Sequence, residues 1–193
     1  MNLDTGNAAQ EEHQMPYLIA PFTPYDDLAP IVMAWTSAFA APPNGPRSQH
    51  ELHNQLMRHM TFPRFVGLTA RDAGSGRVLG LVYGYSNEID QWWRDRVADA
   101  LGRQATAQIL SNSFCLTELG VIPAARRRGI AEALVNGIEQ RQQHPTLLLS
   151  TRADNSEGLR FYHATGWQIV LPSMSFGWGF PPYAILERRT RRS

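Results

Sequence analysis

The apolar run Phe114 to Val121 reads as a strand, and it leads through Pro123 into Arg126-Arg127-Arg128-Gly129-Ile130-Ala131, from which an apolar-periodic helix departs. A strand that hands the chain to a helix through an Arg/Gly turn demands a sheet with helices packed on it. It also makes an anion cradle. The turn's backbone N–H groups and the positive end of the helix dipole both favour phosphate, and glycine lets a ligand approach the backbone.

The flanking patterns extend that unit. Tyr17 to Phe22 reads as a first strand, after which Asp26 or Asp27 caps a helix through Ile31, Val32, Trp35 and Phe39, ended by Pro42 and Pro43. A second helix is expected over Ser48 to Met60, with Leu52, Leu56 and Met60 or His59 on one face. Phe65 to Arg71 and Val78 to Tyr85 form a hairpin about Asp72-Ala73-Gly74-Ser75-Gly76. A helical insert follows from Ile89 to Asn112, with Trp92, Val97 and Leu101 on one side.

Beyond the central strand, a helix from Gly129 to Gln142 and a strand from Thr146 to Thr151 are followed by a helix from Asn155 to Thr165, closed by Gly166. Trp167 to Leu171 and Tyr183 to Glu187 are the last strands, and Arg188 to Arg192 reads as a solvated basic tail. The fold class is α/β (α+β): a mixed, mostly antiparallel sheet of about six or seven strands with helices on both faces. One domain over residues 17–188 is expected, with a loose tail at 1–16 and a basic tail at 189–193.

The charges exclude several functions. Eighteen basic residues against 17 acids give a net charge of +1, and every one of the basic residues is arginine. Without lysine there is no Walker-type P-loop, and a near-neutral chain is a poor nucleic-acid binder, so no nucleic-acid partner is expected. Cys115 is the sole cysteine, which rules out a disulfide framework and reads as a small buried strand residue. His50 and His53 lack a third ligand, so no metal is assigned. Without a long apolar run or a signal-peptide pattern, no membrane partner and a cytoplasmic location are the expectation.

Leu119-Gly120-Val121-Ile122-Pro123 followed by Arg126-Arg127-Arg128-Gly129-Ile130-Ala131 resembles the strand and Arg/Gln-x-x-Gly-x-Gly/Ala turn of the GCN5-related N-acetyltransferases. Asn155, Phe161-Tyr162 and Gly166-Trp167 match that family's second signature, downstream on the expected helix. The resemblance spans Phe65 to Val170 and implies a sheet splayed between its fourth and fifth strands, with acetyl-CoA as cosubstrate. It implies that N–H groups of Arg126, Arg127, Arg128, Gly129, Ile130 and Ala131 hold the pyrophosphate, and that main-chain groups of Leu119 and Val121 pair with the pantetheine arm. The resemblance further implies that an N–H at or near Leu119 faces the thioester oxygen, and that Asn155, which reads as the cap of its helix, also contacts the CoA arm or a water unless it serves as the cap alone.

By the same resemblance Tyr162 is the general acid beside the departing thiolate, where a phenol of pKa about 10 can donate a hydrogen bond or proton to a thiolate whose conjugate acid sits near 8.5 as the C–S bond breaks. Glu118 is the nearest acidic candidate for the base. Strict alternation puts Cys115, Thr117, Leu119 and Val121 on one face and Glu118 on the other, unless a bulge shifts the register, which leaves base and structural roles both open.

The acceptor pocket is expected between the first helices, the insert and the loop before the last strand. Trp35, Phe39, Trp92, Trp93, Phe176, Trp178 and Phe180 supply aromatic surface for it, or else serve the core and dimer contacts; Glu88 and Asp90 either add negative charge or form a turn. The expected activity is direct transfer of an acetyl group from acetyl-CoA to the primary amine of a small molecule or peptide. The alternatives are another acyl donor, an amine antibiotic as acceptor, or a non-catalytic acyl-CoA sensor. A homodimer is a further expectation, since many relatives dimerise.

Overall fold

The structure is a computed structural model, and residues 16–40 and 47–190 are described. Seven strands form one sheet in the order β1-β2-β3-β4-β5-β7-β6, from β1 (Tyr17–Phe22), β2 (Val66–Asp72), β3 (Val78–Ser86), β4 (Ser113–Val121), β5 (Thr146–Arg152), β6 (Gln168–Met174) and β7 (Tyr183–Arg189). All neighbours are antiparallel except β4 and β5. The expected mixed, mostly antiparallel sheet is therefore present. Pro42 and Pro43, read as a helix stop, lie outside the described residues, as do the chain's first fifteen and last three residues.

Helices cover both faces: α1 (Ala29–Phe39), α2 (Gln49–His59), α3 (Trp92–Leu101), α4 (Arg103–Ile109), α5 (Ile130–Arg141) and α6 (Ser156–Ala164). Two strand glycines reveal the sides. A Cβ on Gly120 would meet Phe39 at 2.9 Å and Ala38 at 3.0 Å of α1, whereas one on Gly80 would meet Ile130 of α5 at 3.3 Å. Gly120 pairs with Leu81, the neighbour of Gly80, so α1 and α5 lie on opposite faces. The larger apolar cluster runs through both, from Ile31 and Trp35 through Leu81 and Tyr83 to Leu134 and Ile138. A smaller one joins Val97 of α3 to Leu148, Met174 and Ile185.

Two local expectations need correction. Trp92, placed on one side with Val97 and Leu101, is more than half exposed; Leu101 packs with Val97 as expected, and Trp93 takes the place of Trp92. Arg188, read as the start of a solvated tail, is only 6% exposed, and the strand continues through it to Arg189. Its guanidinium pairs with Glu139 of α5, donates to Asn136 Oδ1 at 3.1 Å and lies 5.9 Å from the Trp167 ring centroid. A run of like charge reads as solvated when its partner is 49 residues away in sequence. Asp27 also sits one residue outside the expected cap position: Leu28 is the N-cap of α1, and Asp27 accepts from the Ala29 N–H at 3.0 Å.

Candidate active site

The site starts from a gap in the sheet. β4 and β5 pair only at Ser113–Thr146, Phe114–Leu147 and Cys115–Leu148, and then separate. Just beyond, β4 carries one extra residue: Tyr83 of β3 faces Glu118 and Gly84 faces Leu116, so Thr117 is bulged. A bulge bends its strand and increases its twist, which carries β4 away from β5.

Main-chain direction on the open edge follows from one bond. Ile122 N–H donates to Leu79 O at 2.9 Å, so Ile122, Gly120 and Glu118 direct their peptide groups toward β3. Leu119 and Val121 direct theirs into the gap. These are the two residues whose backbone the sequence resemblance assigns to an extended amide-rich ligand. Val121 O already accepts from Arg126 Nε at 3.3 Å, which leaves Leu119 the more available.

At the end of β4 the chain makes a short 3-10 turn, Pro123–Ala125, and enters the cradle. Arg127 has φ 63°, a conformation rare for residues other than glycine, and Gly129, the N-cap of α5, has φ 75°. No side chain caps this helix end, so the N–H groups of Gly129, Ile130, Ala131 and Glu132 have no intrahelical acceptor. A Cβ at Gly129 would find nothing nearer than the Tyr17 hydroxyl at 3.7 Å, so the space above the turn is open. An exposed concavity of backbone donors fits a pyrophosphate.

Arg126 stands apart from that cradle. Its N–H donates to Pro123 O at 3.3 Å and its guanidinium donates to Ala38 O at 3.0 Å, tying the C-terminal end of α1 to the turn. Asn155 is likewise engaged: Oδ1 accepts from the Gly158 N–H at 3.0 Å as the cap of α6, and Nδ2 donates to Thr151 Oγ1 at 3.1 Å. The amide thereby fixes the start of α6 against β5.

The bulge decides where Glu118 points. Paired residues share a face, so Glu118 lies with Tyr83, and Cys115 lies with Tyr85, on the face covered by α1 and α2. Glu118 accepts from Gln55 Nε2 at 3.2 Å and stands 3.9 Å from Arg47 Nη1. Its side chain is 17% exposed, and burial pushes its pKa up to about 7, against the opposing pull of Arg47 and of hydrogen bonds from Gln55 and Trp35.

Around it the Tyr83 hydroxyl lies 3.1 Å from His59 Nδ1, with Trp35 edge-on to the Tyr83 ring at 5.7 Å. Burial lowers the His59 pKa to about 4, so the ring is neutral at ordinary pH. Gln55, His59, Tyr83 and Arg47 were not recognised from the sequence as site residues. The one available signal was the polar content of an otherwise apolar helix face in α2.

Tyr162 approaches from α6, its ring edge-on to Trp167 at 5.7 Å. Its hydroxyl has no protein hydrogen-bond partner among the described residues. Burial raises its pKa above the usual phenol value and the charge of Glu118 raises it further, so the phenol stays protonated within electrostatic reach of that carboxylate. Cys115 is buried and its thiol is pushed up to about 12, which makes it an inert packing group.

The aromatic residues do not line a single cleft. Trp35 belongs to the Glu118 cluster and Phe39 packs on Gly120, while Trp92, Phe176 and Phe180 form a separate group with ring centroids 5.3 and 6.3 Å apart about Trp92. Trp93 Nε1 donates to Ser150 Oγ at 3.0 Å, and Trp178 is fully exposed. Glu88 and Asp90 sit in an exposed turn.

A splayed parallel pair, an uncapped helix start after β4 and a tyrosine helix after β5 all lie within the segment that a known family model matches. The model of the Acetyltransferase (GNAT) family matches residues 32–167. The chain belongs to that family. A GCN5-like protein acetyltransferase of Mycobacterium tuberculosis is 31% identical over 128 residues, 62% of each chain. The peptidyl-lysine N-acetyltransferase YiaC of Escherichia coli is 42% identical over 55 residues, 28% of this GNAT chain and 36% of that protein. The chain thus spans less than two thirds of either curated relative. Among solved structures, a phosphinothricin acetyltransferase from Sinorhizobium meliloti in complex with AcCoA superimposes with a TM-score of 0.61 over 91% of this chain and 89% of that one, at 15% identity. A histone acetyltransferase HPA2-related protein from Corynebacterium glutamicum gives 0.65 over 93% and 99%, at 17% identity. These likenesses carry the fold. No helix among the described residues is long and apolar enough to cross a membrane.

Proposed function

We propose that this GNAT protein transfers an acetyl group from acetyl-CoA directly to the primary amine of a peptide or small molecule. The observation that carries the reading is the position of Glu118, a carboxyl with pKa about 7 beside the gap between β4 and β5, with a protonated tyrosine within reach of its charge.

Acetyl-CoA supplies the activated acyl thioester. N–H groups from Arg127 to Ala131 hold its pyrophosphate, and the open backbone of Leu119 and Val121 pairs with its amide-rich arm. Glu118 takes a proton from the acceptor ammonium, for which a base with a pKa near the working pH is best matched. The Leu119 N–H stabilises negative charge developing on the carbonyl oxygen as the amine adds, and Tyr162 protonates the leaving thiolate. The relatives named for protein and peptidyl-lysine acetylation favour a lysine side chain as acceptor.

The test is thiol release from acetyl-CoA with Nα-blocked lysine peptides, polyamines, aminoglycosides and amino acids as acceptors. Release with at least one amine, abolished in Glu118→Gln, is the expected result. Acetyl-CoA binding without release from any acceptor would leave a sensor rather than an enzyme.

A further inference from the structure

The Glu118 cluster already contains a cation. Arg47, 42% exposed in its side chain, reaches over the Trp35 ring with its guanidinium carbon 5.7 Å from the ring centroid. One guanidinium nitrogen lies 3.9 Å from Glu118 Oε1 and the other donates to Gln55 Oε1. Trp35 is only 1% exposed with that guanidinium beside it. An aromatic ring, a carboxylate and an amide carbonyl converging on one point form a binding site for a cation on an alkyl stem.

We propose that Arg47 holds the place of the acceptor's ammonium group and that a lysine-type acceptor enters by displacing it. The inference rests on the transferase reading and its lysine-type acceptor and adds the residue that controls access. Displacement costs little, because a half-exposed ion pair is worth about 1 kcal/mol or less.

The residue type carries the argument further. A guanidinium stays protonated at any working pH, so it occupies the pocket beside a general base without becoming a nucleophile. A lysine there would lose a proton to Glu118 and attack. All 18 basic residues of this chain are arginine, and no side chain of the protein can compete as an ε-amine acceptor. An enzyme that acetylates lysine-type amines and contains none cannot inactivate itself by acetylating its own surface.

The experiment turns the placeholder into a substrate. In Arg47→Lys mixed with acetyl-CoA, the residue-47 ammonium gives one proton to Glu118, and its nitrogen forms a C–N bond to the acetyl carbonyl carbon. The C–S bond breaks, Tyr162 protonates the thiolate, and the second nitrogen proton passes through the site to restore it. Ammonium plus thioester gives amide, thiol and one released proton. Intact-mass spectrometry is expected to show one added acetyl group, mapped to residue 47, formed in the Arg47→Lys chain and absent in wild type and in the Arg47→Lys, Glu118→Gln double variant.

Calorimetry with methylguanidinium gives a readout independent of turnover. Arg47→Ala is expected to bind it about fivefold more tightly than wild type, because the pair worth about 1 kcal/mol no longer has to be displaced. For n-butylamine the same variant is expected to show a KM about fivefold lower at unchanged kcat, the displacement of a pair worth about 1 kcal/mol having been removed. A higher KM for amines in Arg47→Ala, or equal methylguanidinium binding by both proteins, would overturn the proposal and make Arg47 a fixed part of the pocket. If wild type transfers acetyl to no amine, the transferase reading fails, and methylguanidinium binding still decides what Arg47 occupies.

Discussion

Cys115 and Glu118 lie on the same face of β4 although they are three residues apart, because Thr117 is an extra residue opposite the junction of Tyr83 and Gly84. The β3 side of that junction has no room for a side chain. A Cβ on Gly84 would stand 2.2 Å from Cys115 O and 2.4 Å from Phe114. Since the first of these is backbone, relief requires moving the strand. Gly84→Ala is expected to destabilise the fold by about 3 kcal/mol, at the upper end for overpacked sites, and to weaken activity through displaced Glu118. Urea unfolding of the variant checks the first outcome and kcat the second.

Glu118 ties activity and stability together with opposite signs. Its pKa, raised from 4.5 to about 7 in the folded chain, means that the native state binds more protons than the unfolded state between those values. Its contribution to stability is therefore fully present below about 4.5 and is lost as pH rises through about 7, by up to about 3 kcal/mol. Glu118→Gln is expected to raise the melting temperature at pH 8 while lowering kcat by roughly 10²–10⁴-fold. Wild-type kcat/KM should rise with pH through about 7. A melting temperature unchanged at pH 8 would show that the carboxyl is better solvated than its surroundings indicate.

His59 works against this trend. Its pKa of about 4 in the folded chain lies below the ordinary 6.5, so the stability it contributes is present above 6.5 and is lost as pH falls toward 4. Wild type, carrying both groups, should show a shallow dependence between pH 5 and 7. Glu118→Gln removes one of the two opposing slopes, and its melting temperature should fall on acidification through that range, as followed by circular dichroism.

The acid role proposed for Tyr162 can be tested on a geometry that a phenyl ring would preserve. Its ring packs edge-on to Phe161 at 5.2 Å and to Trp167 at 5.7 Å, contacts that phenylalanine keeps. Tyr162→Phe is expected to bind acetyl-CoA with unchanged affinity while kcat falls about 10²-fold, the lower end for a lost general acid. The split between calorimetric binding and turnover checks it. Equal turnover would leave Tyr162 as packing.

The sequence made legible whatever depends on short-range pattern. The strand, turn and helix around Arg126 to Ala131, the cap at Asn155 and the helix carrying Tyr162 follow from periodicity and end signals within a dozen residues. The face of Glu118 was not legible, since one bulged residue inverts an alternation argument and bulges leave no reliable sequence mark. Gln55 and His59 were hidden for another reason: on an amphipathic helix, residues at the edge of the apolar face look the same whether they meet solvent or a carboxylate 63 positions away. Arg126 and Arg188 show the same limit for charge, because a guanidinium bonded to a distant carbonyl or carboxylate is indistinguishable in sequence from a solvated one.

That distinction among arginines separates binding from stability in the cradle. Gly129 has φ 75° and open space above it, so Gly129→Leu adds both backbone strain and a side chain in the proposed pyrophosphate site; acetyl-CoA affinity is expected to fall at least tenfold. Arg126 instead holds the last turn of α1 through Ala38 O. Arg126→Ala is therefore expected to lower stability by about 1 kcal/mol, the worth of a charge-assisted bond at an exposed helix end, and to change acetyl-CoA affinity less than threefold. Calorimetric titration with acetyl-CoA beside chemical denaturation separates the two. A large affinity loss in Arg126→Ala would return its guanidinium to the phosphate site, and the tie between α1 and the turn would then have to break when acetyl-CoA binds.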